Sequence, residues 1–252
     1  MPTGLNSIGF PTIGSTRRTT GQDNHMKMKK NRSRLRKGLP FRPGRVIFRN
    51  MNPKNMSLII LAGGLGSRMG GVRKVFLEVG GRRIIERLLD ELSPAFGETV
   101  VSCRAPEDFA SYPVRTAPDR FEARSSLTGI HAGLSVCAFE HAFVCACDAP
   151  FVRQGLAVRL AEQGEETDDV VIPLKEDGYR EPLCAVYSRR CVRSAAEQLD
   201  RGEYKIIGFF DQVKVREVPV SLLRPGDPDL LSFVNVNTPE ELERWRAAAE
   251  AL

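Results

Sequence analysis

The 252-residue sequence lacks any apolar run approaching the ~18 residues that a membrane span requires. Nor does an apolar stretch follow the N-terminal basic residues, as a secretory leader would need. Its six cysteines, at 103, 137, 145, 147, 184 and 191, include no C-x-x-C pair and no regular framework. Without an export signal, disulfides are not expected either. Cys145 and Cys147 alternate along an apolar run and read as buried strand thiols. Histidine is scarce: only His25, His131 and His141 occur, none with a Cys or His at metal spacing. Nothing here suggests a zinc site or a Ser-His-Asp triad, and His131 and His141 read as surface or partly buried polar residues. These absences together predict a cytoplasmic protein.

What is present suits one α/β domain with an appendage: 42% hydrophobic and 27% charged residues. The net charge of +6 is unevenly placed. Residues 1–50 hold 12 Lys and Arg against Asp23 alone, whereas the remainder holds 25 basic and 30 acidic residues. The folded part is therefore mildly acidic. Residues 1–55, rich in Gly, Pro, Ser, Thr and Asn and carrying the basic run 27–37, bury too little apolar surface to offset their ordering entropy. They read as a disordered extension preceding a domain over 56–252. Such an arm either serves RNA or anionic lipid, or reflects an over-extended start, with initiation at Met51 or Met56.

From Ser57 the pattern alternates strand and helix. Strands are expected at Ser57–Ala62, Glu98–Cys103, Val114–Thr116, His141–Cys147, Val170–Pro173, Leu183–Tyr187, Val213–Val218 and Phe233–Asn235. Helices are expected at Ile84–Leu92, Leu127–Cys137, Phe151–Gln163, Arg189–Leu199 and Pro239–Ala251, the last with a capping box from Thr238 to Glu241. Alternating βα units imply a mostly parallel, twisted sheet with helices on both faces, a Rossmann-like three-layer αβα fold. In such sheets ligands bind beyond the carboxyl ends of the strands.

The strongest chemical signal is the segment 61–74, Leu-Ala-Gly-Gly-Leu-Gly-Ser-Arg-Met-Gly-Gly-Val-Arg-Lys, directly after the first strand. Glycines let backbone N–H groups close on an anion. Arg68 can fork onto phosphate oxygens and Lys74 supplies a point charge. The Gly-Lys-Ser/Thr of a Walker loop is absent, and Met69 stands where a dinucleotide fingerprint needs its third glycine. Asp148 ends an apolar strand and is either a Mg²⁺ ligand or the N-cap of the next helix. Asp119 reads by itself as a turn residue. Asn235 and Asn237 alternate on one face before the last helix, there to support a ligand or to satisfy backbone groups.

The 61–74 loop resembles the signature of the molybdenum cofactor guanylyltransferases and their nucleotidyltransferase relatives. Further blocks are similar in the same order: Pro118-Asp119, residues 127–130, residues 147–151, residues 181–187 and residues 233–242. They span residues 57–245, essentially the whole globular part. The resemblance implies GMP transfer from GTP to molybdopterin, with Mg²⁺ held by Asp148 and molybdoenzymes or their chaperones as further partners. It assigns Arg68, Lys74 and Asp148 to catalysis. To GTP it assigns Leu61, Ala62, Gly63, Gly64, Gly66, Lys74, Ser102, Asp119 and Asp148. Glu181, Pro182, Asn235 and Asn237 would border the acceptor.

The sequence departs from the family in three places. Arg73 replaces a frequent Asp, Ser102-Cys103 stand where an Asn is expected near the nucleotide, and Ser125-Ser126 replace a Gly-Pro. Leu-Ala-Gly-Gly at 61–64 is the guanylyl form of the loop, since cytidylyl relatives tend to carry Ala at the first of those glycines. The other readings are a cytidylyltransferase for the same pterin, a sugar- or alditol-phosphate transferase, and a nucleotide-binding scaffold without turnover. Nucleic acid binding would rest on the arm alone and is not expected of the domain.

Overall fold

A computed structural model describes residues 50–63 and 73–249. Gly64, Gly66, Arg68 and nearly all of the basic arm lie outside the described residues. The described residues belong to one compact unit, Val46–Leu252.

Seven strands form the main sheet: β1 (Met56–Leu61), β4 (Glu98–Cys103), β5 (Arg115–Pro118), β6 (His141–Ala146), β7 (Val170–Leu174), β8 (Cys184–Ser188) and β9 (Val215–Pro219). Their spatial order is β5-β4-β1-β6-β8-β7-β9. β1 pairs in parallel with β4 and β6, β4 with β5, and β7 with β9; β8 alone runs against its neighbours β6 and β7. β1 and β6 are buried at every position. A central strand covered on both faces must be apolar throughout, which is why their sequences run rather than alternate.

Among the described residues five helices cover the sheet: α1 (Ile84–Leu92), α2 (Ser126–Val136), α3 (Gln154–Gln163), α4 (Cys191–Asp200) and α5 (Pro239–Ala249). Alternate strand residues feed two separate cores. Leu58, Ile60, Val101, Phe143 and Val186 pack with Leu88 and Leu92 of α1 and Leu156 and Leu160 of α3. Ile59, Val100, Val144 and Tyr187 pack with Leu127, Ile130 and Leu134 of α2 and Ala195 and Leu199 of α4. This is the three-layer αβα arrangement that the alternating pattern predicts. All six cysteines are free and buried, and burial pushes the Cys147 thiol up to about 12, out of the reactive range.

Several expectations are revised. The two-residue strands β2 (Glu78–Val79) and β3 (Arg82–Arg83) form a small hairpin turned by Gly80 and Gly81, both at positive φ. No strand forms at Phe233–Asn235; Leu231–Phe233 is a 3-10 turn and the chain then runs extended beside the end of β6. His131 and His141, expected at the surface or partly buried, are buried. The expected boundary at residue 55 also moves. Met51 is buried and its N–H donates to the Gly164 carbonyl, so residues 50–55 pack as part of the domain.

Candidate active site

The cleft lies where the parallel strands end. Leu61 of β1 stands level with Ser102 of β4 and Ala146 of β6. Two backbone bonds carry the pairing one step further: Ala62 N–H to the Ser102 carbonyl (2.8 Å) and Cys147 N–H to the Leu61 carbonyl (3.1 Å). The residues after each strand therefore start from fixed positions. The cavity there, about 390 Å³, is lined by Leu61, Gly63, Lys74, Asp119, Arg124, Ser125, Ser126, Gly129, Ala146, Cys147, Asp148 and Leu183.

Asp148 follows β6 by two residues and is half-buried. α3 begins only at Gln154, after Arg153, so Asp148 is not a helix cap. Burial raises its pKa, the neighbouring Lys74 ammonium opposes that, and Glu181 adds a weaker upward push. The Lys74 Nζ donates to Asn237 Oδ1 (2.8 Å) and to the Val236 carbonyl (3.2 Å). Val236 N–H in turn donates to the Asp148 carbonyl (2.7 Å). Lys74, Asp148 and Asn237, remote in sequence, thus meet at one spot. Asn237 is held by its own N–H to Glu241 (2.7 Å), beside the capping box in which Glu241 N–H donates to Thr238 Oγ1 (3.2 Å). Asn235 is exposed and does not share that contact.

Across the cleft, Asp119 directly follows β5. Burial raises its pKa, and the Arg104 guanidinium draws it back down. Its Oδ1 is buried with no protein partner, as is the Ser102 Oγ beside it. Buried polar atoms rarely go unpaired; the Ser102 hydroxyl can donate to the carboxylate and helps lower its pKa, and Asp119 lines the cavity where a ligand would sit. A Cβ on Gly63 would lie 3.6 Å from Asp119 Oδ2. Ser125, where the family pattern has Gly, is the N-cap of α2: its Oγ accepts from Thr128 N–H (3.1 Å). The 11-residue α2 so presents its N-terminus to the cleft, a favourable setting for an anion.

The third wall is the approach to β8. Tyr187, buried in the core, donates from its hydroxyl to the Pro182 carbonyl (2.8 Å). Glu181 pairs with Lys175 (2.5 Å), and Leu183 reaches the cavity. Arg73 is committed elsewhere, to an ion pair with Asp108. Sequence reasoning missed Arg104 and Arg124; neither falls in a recognisable motif, and each matters only through its place in the fold.

A parallel sheet edge with a lysine, two carboxylates and a helix N-terminus around one cavity defines a nucleotide-handling α/β enzyme. The model of the MobA-like NTP transferase domain matches residues 58–215. The chain is 42% identical over 193 residues to the molybdenum cofactor guanylyltransferase of Desulfosudis oleivorans, covering 77% of this chain and 95% of that one. It is 38% identical to a probable molybdenum cofactor guanylyltransferase of Pelotomaculum thermopropionicum, over 76% and 92% of the two chains. Among solved structures it resembles the molybdopterin-guanine dinucleotide biosynthesis protein A of Archaeoglobus fulgidus. There the TM-score is 0.68 and the identity 30%, over 78% of this chain and all of the other. The chain belongs to the MobA-like NTP transferase family and is a nucleotidyltransferase.

Proposed function

We propose that this enzyme transfers GMP from GTP to molybdopterin, releasing pyrophosphate. The observation that carries the reading is the meeting of Lys74, Asp148 and Asn237 at the strand ends, with Asp119 lining the same cavity. The relatives named above, matched over nearly their whole length, supply the substrate pair.

A phosphate oxygen of the acceptor attacks the α-phosphorus of GTP; the new P–O bond forms as the bond to pyrophosphate breaks. That oxygen is already ionised near neutral pH, so no general base is needed and the protein's task is positioning and charge neutralisation. Lys74 takes a phosphate oxygen, held on course by Asn237 and the Val236 carbonyl. We assign the loop residues Gly64, Gly66 and Arg68 to the triphosphate, and Leu61, Ala62, Gly63, Ser102 and Asp119 to the nucleoside. Glu181 and Pro182 border the acceptor, with Asn237 between the two substrates.

Asp148 fits Mg²⁺: it is a lone carboxylate at the strand end beside the phosphate-binding lysine. Among the described residues no group of three or more His, Cys, Asp or Glu could cage a metal. One carboxylate with substrate phosphates and water is the usual magnesium environment. When bound, the ion offsets triphosphate charge. Among the described residues no helix is long and apolar enough to cross a membrane, and we place the enzyme in the cytoplasm.

Pyrophosphate release measured with GTP, CTP and UTP, with and without molybdopterin, tests the assignment. Turnover should require GTP and molybdopterin together. Lys74→Ala and Asp148→Ala should each lower kcat by about 10²–10³ while the proteins stay folded. Near-normal turnover by both variants would overturn it.

A further inference from the structure

Arg104 lies just beyond β4, outside every motif of the sequence. Its Nε pairs with Asp119 Oδ2 at 3.2 Å. Its Nη2 donates to the carbonyls of Glu122 (2.9 Å) and Ala123 (3.0 Å), with Phe121 O at 3.5 Å. One planar guanidinium thus grips a carboxylate and successive carbonyls of the loop that leads to α2. A lysine could not reproduce that fork. The side chain of Asp119 is only 9% exposed, so its charge needs a partner to remain ionised.

The segment so gripped is a wall of the cleft. Downstream of it, Arg124, Ser125 and Ser126 line the cavity, and Arg124 has no hydrogen-bond or ionic partner among the described residues. This is also where the sequence departs from the family by replacing a stiff Gly-Pro with Ser125-Ser126. The grip of Arg104 supplies from outside the rigidity that this chain lacks within.

We propose that Arg104 is a positioning residue for the nucleotide: it holds the Asp119 carboxylate and the 121–126 wall in place to receive the base and ribose of the NTP. This rests on the transferase reading above. Besides Arg104, the titratable groups around Asp119 among the described residues are the Cys103 thiol, with Lys74, Arg124 and Asp148 elsewhere in the cleft.

The test uses the full chain and two variants, Arg104→Gln and Arg104→Lys, read by GTP titration, steady-state kinetics with GTP and molybdopterin, and thermal melting. Both variants should raise the KM for GTP by about tenfold or more, the worth of a charge-assisted contact, with kcat changed less than about threefold. Arg104→Gln should also move the acid limb of kcat/KM to higher pH, because Asp119 loses the cation that draws its pKa down. Arg104→Lys should leave that limb in place, since it keeps the charge and loses only the fork. A merely structural role would not separate the two variants in this way. Should Arg104→Gln fail to fold, Arg104→Lys alone decides through its KM. Unchanged KM and acid limb in an otherwise active enzyme overturn the clamp alone. A wild-type chain that neither binds nor turns over GTP overturns the clamp together with the transferase reading.

Discussion

Replacing Gly63 by alanine offers a sharp test of how the cleft chooses its base. Among the described residues the added methyl would meet Asp119 Oδ2 at 3.6 Å, an ordinary contact. Gly63 is not among the glycines at positive φ, so the backbone accepts alanine without strain. Stability should therefore change by less than about 0.5 kcal/mol. The methyl nevertheless stands against the carboxylate assigned to the nucleoside, at the oxygen that Arg104 holds, and would crowd a base seated beside it. Losing one hydrogen bond to a charged acceptor costs about 1.5–3 kcal/mol, or about 10- to 100-fold in kcat/KM for GTP. With CTP, which presents a smaller base and different donors, the loss should be much smaller, and the GTP:CTP ratio should fall accordingly. The assay is pyrophosphate release under saturating molybdopterin, with a melting curve as control. A GTP kcat/KM within twofold of wild type, beside an unaltered melting temperature, would refute a base-facing role for this position.

Two further outcomes concern the scaffold. Asp168 is fully buried and is held by Arg216 and Lys214 and by the Glu165 N–H (2.9 Å). Burial would raise its pKa, but those partners outweigh it and hold the carboxyl below its ordinary value of 3.8. Its stabilising effect is thus complete above the unfolded-state pKa and is lost as pH falls below it, through the folded value. Asp168→Asn should lower stability near neutrality by about 2 kcal/mol, and urea midpoints should show wild type and variant converging on acidification; parallel curves would exclude this. A chain beginning at Met56 loses the buried Met51 and its bond to Gly164. It should be less stable than one beginning at Asn50 by about 1.5–3 kcal/mol, seen as a lower melting temperature; equal melting would show that Met51 contributes nothing.

The elements that the sequence made legible are those whose pattern is decided locally. β1 and β6 are unbroken apolar runs, and α1 buries Ile84, Ile85, Leu88 and Leu92 at helical spacing. The capping box at Thr238 and Glu241 forms as its residues require. The run Phe-Val-Asn-Val-Asn at 233–237 alternates like a strand, but its Val236 N–H goes to the carbonyl of Asp148 rather than to a sheet edge. That partner lies 88 residues away, beyond the reach of any local pattern. The same holds for the site. The positions of Lys74 and Asp148 after strands were readable, whereas Arg104 binds across a chain reversal and Ser125 caps a helix in place of a glycine. Both follow from tertiary placement.

The Lys74–Asn237 contact joins residues 163 positions apart. A ribosome making this chain therefore releases the sheet and the residues that line the cavity before Asn237 can reach the lysine. Only docking of the last segment, which brings Asn237 against the lysine, completes the electrostatic surroundings of Asp148. A nascent or C-terminally clipped polypeptide would lack both the Asn237 contact to the lysine and the Val236 and Leu242 side chains of one core, leaving an unfinished reaction centre.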